Sequence, residues 1–342
     1  MMSHLDLPTL GARARGLGSR LFSRSELEEL AGAPDVPALA RGLERHGRLL
    51  VPIGRPPTAS AIESAVRQTA ARHLRVLATW AGSGSALDVF YADQDRRSLR
   101  ALIRGALQAL PSDARLAGLL PTPRLPERAL AVLARQPTPA RVTAQLVLLS
   151  HPDASRLSSL ATRAQPVLLD LERALVRGFA ERSVAAARAG DRNLRGYVRQ
   201  RIDVCNVQMA LAFASGPHDA QPASLFTEGG GSLPRKAFLE VCAATSATAA
   251  GLVLERVLVE TPLRTVTHTA GGDPARLENA ALASALAQQR RTARTEPLGS
   301  APLVLFLLRL QAQSADLQRL AWGAALGAPA GLVRAAMVTP WS

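Results

Sequence analysis

The chain has 342 residues, which is too many for one ordinary hydrophobic core and predicts two or three units of roughly 100 to 150 residues each. Hydrophobic residues make up 47% of the sequence but aromatic residues only 4%, and this composition, rich in alanine, leucine and arginine, predicts an all-α protein. The formal net charge is +14, yet the arginines are spread over nearly every predicted helix without aromatic interleaving, which argues against a platform for single-stranded nucleic acid.

Three segments along the chain begin in a similar way. FSRSELEELA starts at Phe22, with Ser23 and Glu26 at the spacing of a capping box. LPERALAVLA starts at Leu125, and LPRKAFLEVCA starts at Leu233. Because each start is followed by the same helical spacing of apolar residues, the three segments indicate an internal repeat.

A second shared element follows each of these starts. SLRALIRGAL, NLRGYVRQRI and DLQRLAWGAAL align without a gap and place Leu99, Leu194 and Leu317 at the same position. Since both elements recur in the same order, the sequence predicts three helical-bundle repeats. Their predicted boundaries are residues 1–124, 125–231 and 232–342.

The helix predicted within DRNLRGYVRQRIDVCNVQMAL, residues 191–211, has two faces. Its apolar residues recur every three or four positions and form a stripe that is expected to pack in the core. The opposite face carries a polar row, which consists of Arg195, Arg199, Asp203 and Asn206. A polar row on an amphipathic helix is commonly a solvated face, and contact with a partner or a neighbouring repeat is the alternative.

Arginines recur at equivalent positions of the first two repeats. Arg100 corresponds to Arg195, and Arg104 corresponds to Arg199. Packing of a helical core does not require arginine at these positions, so the four side chains are candidate interaction residues.

The spacing of reactive residues argues against catalysis. The sequence contains no GxxxxGK[ST] phosphate loop, and the glycine run 229–231 follows no predicted strand, which indicates a linker. No histidine has a second histidine or a cysteine at metal-ligand spacing, so surface or capping roles are expected for all six. These are His4, His46, His73, His151, His218 and His268. The sequence therefore predicts no catalytic, cofactor-binding or metal-binding residues.

The sequence also predicts a protein that is not inserted in a membrane. The N-terminal stretch MMSHLDLPTLGARARG lacks an apolar signal core, and the longest uncharged apolar stretches, near 241–254 and 300–308, are shorter than the roughly 20 residues of a spanning helix. Cys205 and Cys242 lie in apolar helical patterns and are expected to be buried free thiols in a reducing cytoplasm.

Taken in order, these segments resemble the AC39-like family, the central-stalk subunit of V-type ATPases that is designated C in bacterial and archaeal complexes and d in eukaryotic ones. ARARGLGSRLFSRSELEEL resembles the family's opening helix, and DRNLRGYVRQRIDVCNVQMAL resembles its middle motif, in which basic residues precede an Asp and an Asn. EPLGSAPLVLFLLRLQAQSADLQRLAWGAALG resembles its C-terminal block and adds Arg309 to the candidate interaction residues.

The resemblance implies a non-catalytic rotor subunit without a cofactor, shaped as a funnel of three helical lobes. Such a funnel would sit on the proteolipid ring, receive the tip of the central stalk and transmit torque between ATP hydrolysis or synthesis and proton or sodium translocation. Its location would be peripheral on the cytoplasmic side of the membrane, with no nucleic-acid partner. The residues leave one alternative open, a basic all-helical adaptor that binds nucleic acid or an acidic protein.

Overall fold

The computed structural model describes residues 5–82, 85–216, 221–261, 263–270 and 274–338. Within these ranges the secondary structure is entirely helical and contains no β-strand, so the all-α prediction is confirmed. The chain forms two compact units. Unit 1 comprises Met1–Gly82, Ala117–Thr122 and Leu286–Ser342, and unit 2 comprises Ser83–Leu116 and Pro123–Ala285. This division follows contacts in space, and the three repeat boundaries remain a prediction.

Eighteen helices follow one another along the described residues. The first nine are α1 (Leu7–Gly18), α2 (Arg24–Leu30), α3 (Val36–His46), α4 (Ala59–Ala78), α5 (Ala86–Leu107), α6 (Ser112–Leu116), α7 (Glu127–Ala134), α8 (Pro139–Leu148) and α9 (Ala154–Ala161). The next nine are α10 (Leu168–Ala187), α11 (Arg192–Ala214), α12 (Pro222–Leu225), α13 (Arg235–Cys242), α14 (Ala247–Val257), α15 (Leu263–Ala270), α16 (Pro274–Thr295), α17 (Ala301–Ala325) and α18 (Ala330–Ala336). No helix of the described part is both long and apolar enough to cross a membrane.

Unit 1 is built around α17, which packs against α4 and α1. The core of this unit includes Phe22, Leu27 and Leu317, each of which is at most 1% exposed. Helix α2 begins at the predicted capping box: the Ser23 side chain accepts the Glu26 N–H while the Glu26 carboxylate accepts the Ser23 N–H. Two orphan donors of the first turn are thereby satisfied.

Unit 2 is built around α10, which packs against α5 and α11, while α11 also packs against α13. The predicted apolar stripe of α11 is buried, including Leu194 and Ile202. Cys205 and Cys242 both lie in this unit as buried free thiols.

Each predicted repeat start opens a pair of short helices. The first helices of the pairs have the N-caps Ser23, Pro126 and Pro234, and the second have Asp35, Thr138 and Ser246. In every copy the N-caps of the two helices are twelve residues apart, from 23 to 35, from 126 to 138 and from 234 to 246. One helix-pair unit therefore recurs with identical spacing.

Candidate interaction residues and a buried ion network

Two members of the polar row on α11 bind a loop of unit 2. The Asp203 carboxylate accepts hydrogen bonds from the three consecutive N–H groups of residues 231–233 at 2.8 to 3.2 Å. The Asn206 side chain donates to the Thr227 carbonyl at 2.8 Å and accepts the Thr227 N–H at 2.9 Å. Because Asp203 and Asn206 are both 0% exposed, their polar groups are directed at this loop rather than at solvent.

The glycine run of this loop permits its close approach to α11. Gly229 has a φ of 104°, a conformation that side-chain-bearing residues rarely adopt. A Cβ at Gly230 would overlap the Asp203 carboxylate oxygen Oδ1. The segment that the sequence indicated as a linker is therefore a loop docked on α11.

The other two members of the row, Arg195 and Arg199, are exposed. The Arg195 guanidinium donates a hydrogen bond to the carbonyl of Gly190, which lies just before the first turn of α11. Arg199 lies along the docked loop, since a Cβ at Gly231 would be 3.6 Å from its Cδ. Within the described residues neither guanidinium forms an ion pair, so both are available to a partner.

Arg100 and Arg104, their equivalents on α5, bind one carboxylate on α10. Arg100 Nε donates to Glu172 Oε1 at 2.9 Å, and Arg104 Nη2 donates to the same oxygen at 2.7 Å. The Glu172 side chain is 8% exposed, whereas the Arg104 side chain is 44% exposed. The two arginines thus tie α5 to α10, and only Arg104 retains substantial accessible surface.

Asp93 on α5 is the centre of a buried ion network that helical periodicity did not reveal. Its carboxylate lies 2.8 Å from Arg96, 3.0 Å from Arg97 and 3.1 Å from Arg201 of α11. The side chains of Asp93 and Arg201 are each 5% exposed. The signal in the sequence is that Asp93 and Arg96 share the face of α5 that carries its buried apolar residues, where a charge requires a counter-charge.

Glu278 on α16 is a second carboxylate of the buried ion network. It binds Arg97, lies 3.5 Å from Arg100 and accepts a hydrogen bond from Gln208 at 2.9 Å. Burial by itself would raise the pKa of Glu278, but the attraction of Arg97 and the other arginines outweighs it and holds the pKa at about 2.

The same competition acts on Asp93. Burial favours the protonated acid, yet Arg201, Arg97 and Arg96 hold the pKa of Asp93 well below its ordinary value. Both carboxylates are therefore ionised at neutral pH, and the network is a set of true ion pairs joining α5, α11 and α16.

Arg309, the remaining candidate, lies half-buried on α17 in unit 1. Its Nε is buried and has no hydrogen-bond partner among the described residues. Arg309 thus belongs to unit 1, whereas the candidates on α5 and α11 belong to unit 2.

Two histidines are buried, so a surface role is wrong for both. His73 is 2% exposed and packs edge-on against Phe306, and His151 is 4% exposed with Asp95 at 3.6 Å. His4 and His218 lie outside the described residues. In the described ranges no three side chains of His, Cys, Asp or Glu are grouped as metal ligands would be.

The profile of the ATP synthase (C/AC39) subunit family matches residues 10–335. The chain belongs to this family. The match includes α2 through α17 and all seven candidate interaction residues, and it confirms the resemblance to the AC39-like family. No curated protein shows a significant match to the sequence. As a member of the C/AC39 family, the chain is a component of a V/A-type ATPase.

Proposed function

We propose that this C/AC39 protein is the non-catalytic rotor component that couples the central stalk to the membrane-embedded proteolipid ring. In this position it transmits torque between ATP hydrolysis or synthesis and proton or sodium translocation. The family match over residues 10–335 carries the proposal. The three repeats form the lobes of a funnel around the stalk, and the protein is peripheral on the cytoplasmic side of the membrane through its contact with the ring.

The internal construction of unit 2 supports a role in torque transmission. Its helices α5, α10 and α11 are 22, 20 and 23 residues long, and α10 packs against both α5 and α11. The buried ion network around Asp93 and the pair of arginines on Glu172 cross-link them. Because close-packed interiors have low compressibility and transmit strain, such a unit passes on a load with little deformation.

The exposed arginines of α11 support binding to a partner with acidic groups. Arg195 and Arg199 carry charge that no carboxylate of the described residues neutralises, and complementary charge increases the rate and specificity of association. Arg104 also contributes to this surface, because 44% of its side chain is exposed. We assign these three to the contact surface, whereas Asp203 and Asn206 position the docked loop on α11.

Purification of the tagged protein from its own membranes tests the proposal. Mild detergent extraction followed by mass spectrometry should identify proteolipid-ring and central-stalk subunits with the tagged chain. An unrelated helical protein with the same tag provides the control. Recovery of nucleic acid or unrelated proteins, with no ATPase subunit, would contradict the rotor function and favour a helical adaptor.

A further inference from the structure

Arg309 differs from the other half-buried arginines of the structure. Its guanidinium makes no ion pair or hydrogen bond with the described residues, and its Nε is buried. By contrast, half-buried Arg97, Arg182 and Arg319 each bind a carboxylate, at 3.0, 2.8 and 3.0 Å respectively. Arg309 is thus a partly desolvated cation with no counter-charge among the described residues of its own unit.

Among the described residues, the charged side chain that acts on Arg309 is itself basic. Burial and the like charge of Arg290 on α16 together lower the pKa of Arg309. Phe306, one turn earlier on α17, packs against the buried imidazole of His73. Burial and the nearby charge of Arg20 lower the pKa of His73 in turn. Arg290 thus acts on Arg309 itself, whereas Arg20 acts on His73, which contacts the preceding turn of α17.

The backbone of α1 lies directly beside the guanidinium. A Cβ on Gly18 would be 3.3 Å from Arg309 Nη1 and 3.9 Å from Phe306 Cδ2. Glycine at this position lets Arg309 lie against the last turn of α1, where a helix C-terminus contributes roughly half a negative charge. This partial negative charge offsets part of the guanidinium charge, and the remaining positive charge can bind one further acceptor.

We propose that the unpaired guanidinium of Arg309, which lies beside the C-terminal turn of α1, is a receptor site for the carboxylate of an acidic side chain on the central stalk. The planar guanidinium fork binds a carboxylate through two parallel hydrogen bonds. This inference rests on the proposed rotor function and specifies one contact within it.

Arg309→Gln is the test variant, and Arg41→Gln is its matched control. Arg41 is exposed on α3 in the same unit, so the control removes the same charge from a solvated site. Affinity for the purified central-stalk subunits should fall about 10- to 100-fold for Arg309→Gln, the usual effect of a charged hydrogen bond. It should stay unchanged for Arg41→Gln.

A second readout separates recognition from folding. The isolated Arg309→Gln protein should be at least as thermostable as the wild type, because the change removes a partly buried charge that faces Arg290. Should Arg309→Gln fail to fold, Arg309→Lys keeps the charge but loses the two-bond geometry, and its stalk affinity should still be reduced.

The possible results distinguish failure of the Arg309 site from failure of the rotor function on which it rests. Undiminished stalk binding by folded Arg309→Gln, or by Arg309→Lys in its place, would overturn the inference while leaving the rotor function intact. Inorganic phosphate that stabilises the wild type but not Arg309→Gln, without any change in stalk binding, would assign the site to a free anion and also overturn it. A wild-type protein that binds no stalk component would contradict the rotor function itself.

Discussion

Replacing Asp93 with asparagine would remove a carboxylate that Arg96, Arg97 and Arg201 share. The three guanidinium groups lie 2.8 to 3.1 Å from it, and the side chains of Asp93 and Arg201 are 5% exposed. In the variant, Glu278 still pairs with Arg96 and Arg97, but Arg201 loses the carboxylate that it binds among the described residues, so buried positive charge is left uncompensated. Removing one partner of a buried ion pair costs about 3 to 5 kcal/mol of unfolding free energy. At about 2 to 4 °C per kcal/mol, Tm should fall by about 6 to 20 °C.

Urea denaturation followed by circular dichroism at the helix band would measure this loss. Glu181→Gln is the control, since it breaks the Arg156 to Glu181 pair, in which the Glu181 side chain is 62% exposed. Exposed pairs contribute about 0 to 1 kcal/mol, so this control should change stability little. A cost for Asp93→Asn no larger than that of Glu181→Gln would refute the role of the buried ion network as the link between α5 and α11.

Acid should weaken the same network. The pKa of Glu278 is held at about 2 against an ordinary 4.5, and that of Asp93 is also lowered. A carboxylate with a lowered folded-state pKa stabilises fully above its unfolded pKa, and this stabilisation is lost as the pH falls through the folded value. Stability should therefore decline between about pH 4.5 and pH 2. The decline should be smaller in Asp93→Asn, and an identical pH profile for the two proteins would contradict the assignment.

Three further substitutions test separate parts of the structure. Gly178→Ala should lower the unfolding free energy measured in urea by about 1 to 3 kcal/mol, because the new Cβ would overlap the buried Asp153 carboxylate. Gly196→Ala is the control: its new Cβ would have no neighbouring atom within 4 Å, so the change should be neutral or stabilising. Asp203→Ala should cost about 2 to 4 kcal/mol and speed amide hydrogen exchange in the docked loop, because three N–H groups lose their acceptor; unchanged exchange would show that other contacts hold the loop. Arg199→Glu should leave Tm unchanged, since this side chain is exposed, but reduce recovery of stalk or ring subunits from membranes; full recovery would remove Arg199 from the contact surface.

Local features of this protein were determined by the sequence alone, because they depend on spacing within a few turns of helix. The capping box of Ser23 and Glu26 forms as its spacing predicts. The apolar stripe of α11, which includes Leu194 and Ile202, is buried as its period predicts. The repeated starts also correspond to repeated helix pairs, since the same spacing of N-caps and apolar residues produces similar short helices.

The environment of the charged residues was decided only by the tertiary structure. Periodicity placed Arg199 on a polar face, and the repeat alignment matched Arg100 to Arg195. In the structure Arg100 meets Glu172, which is 72 residues away, whereas Arg199 faces solvent. Asp203 belongs to the same row as Arg199 and is nevertheless enclosed by a docked loop. Asp93 drew no attention because its partner Arg201 is 108 residues distant. The spacing within a helix specifies which side chains share a face, and the packing of helices brings to that face either solvent, a loop or a counter-charge.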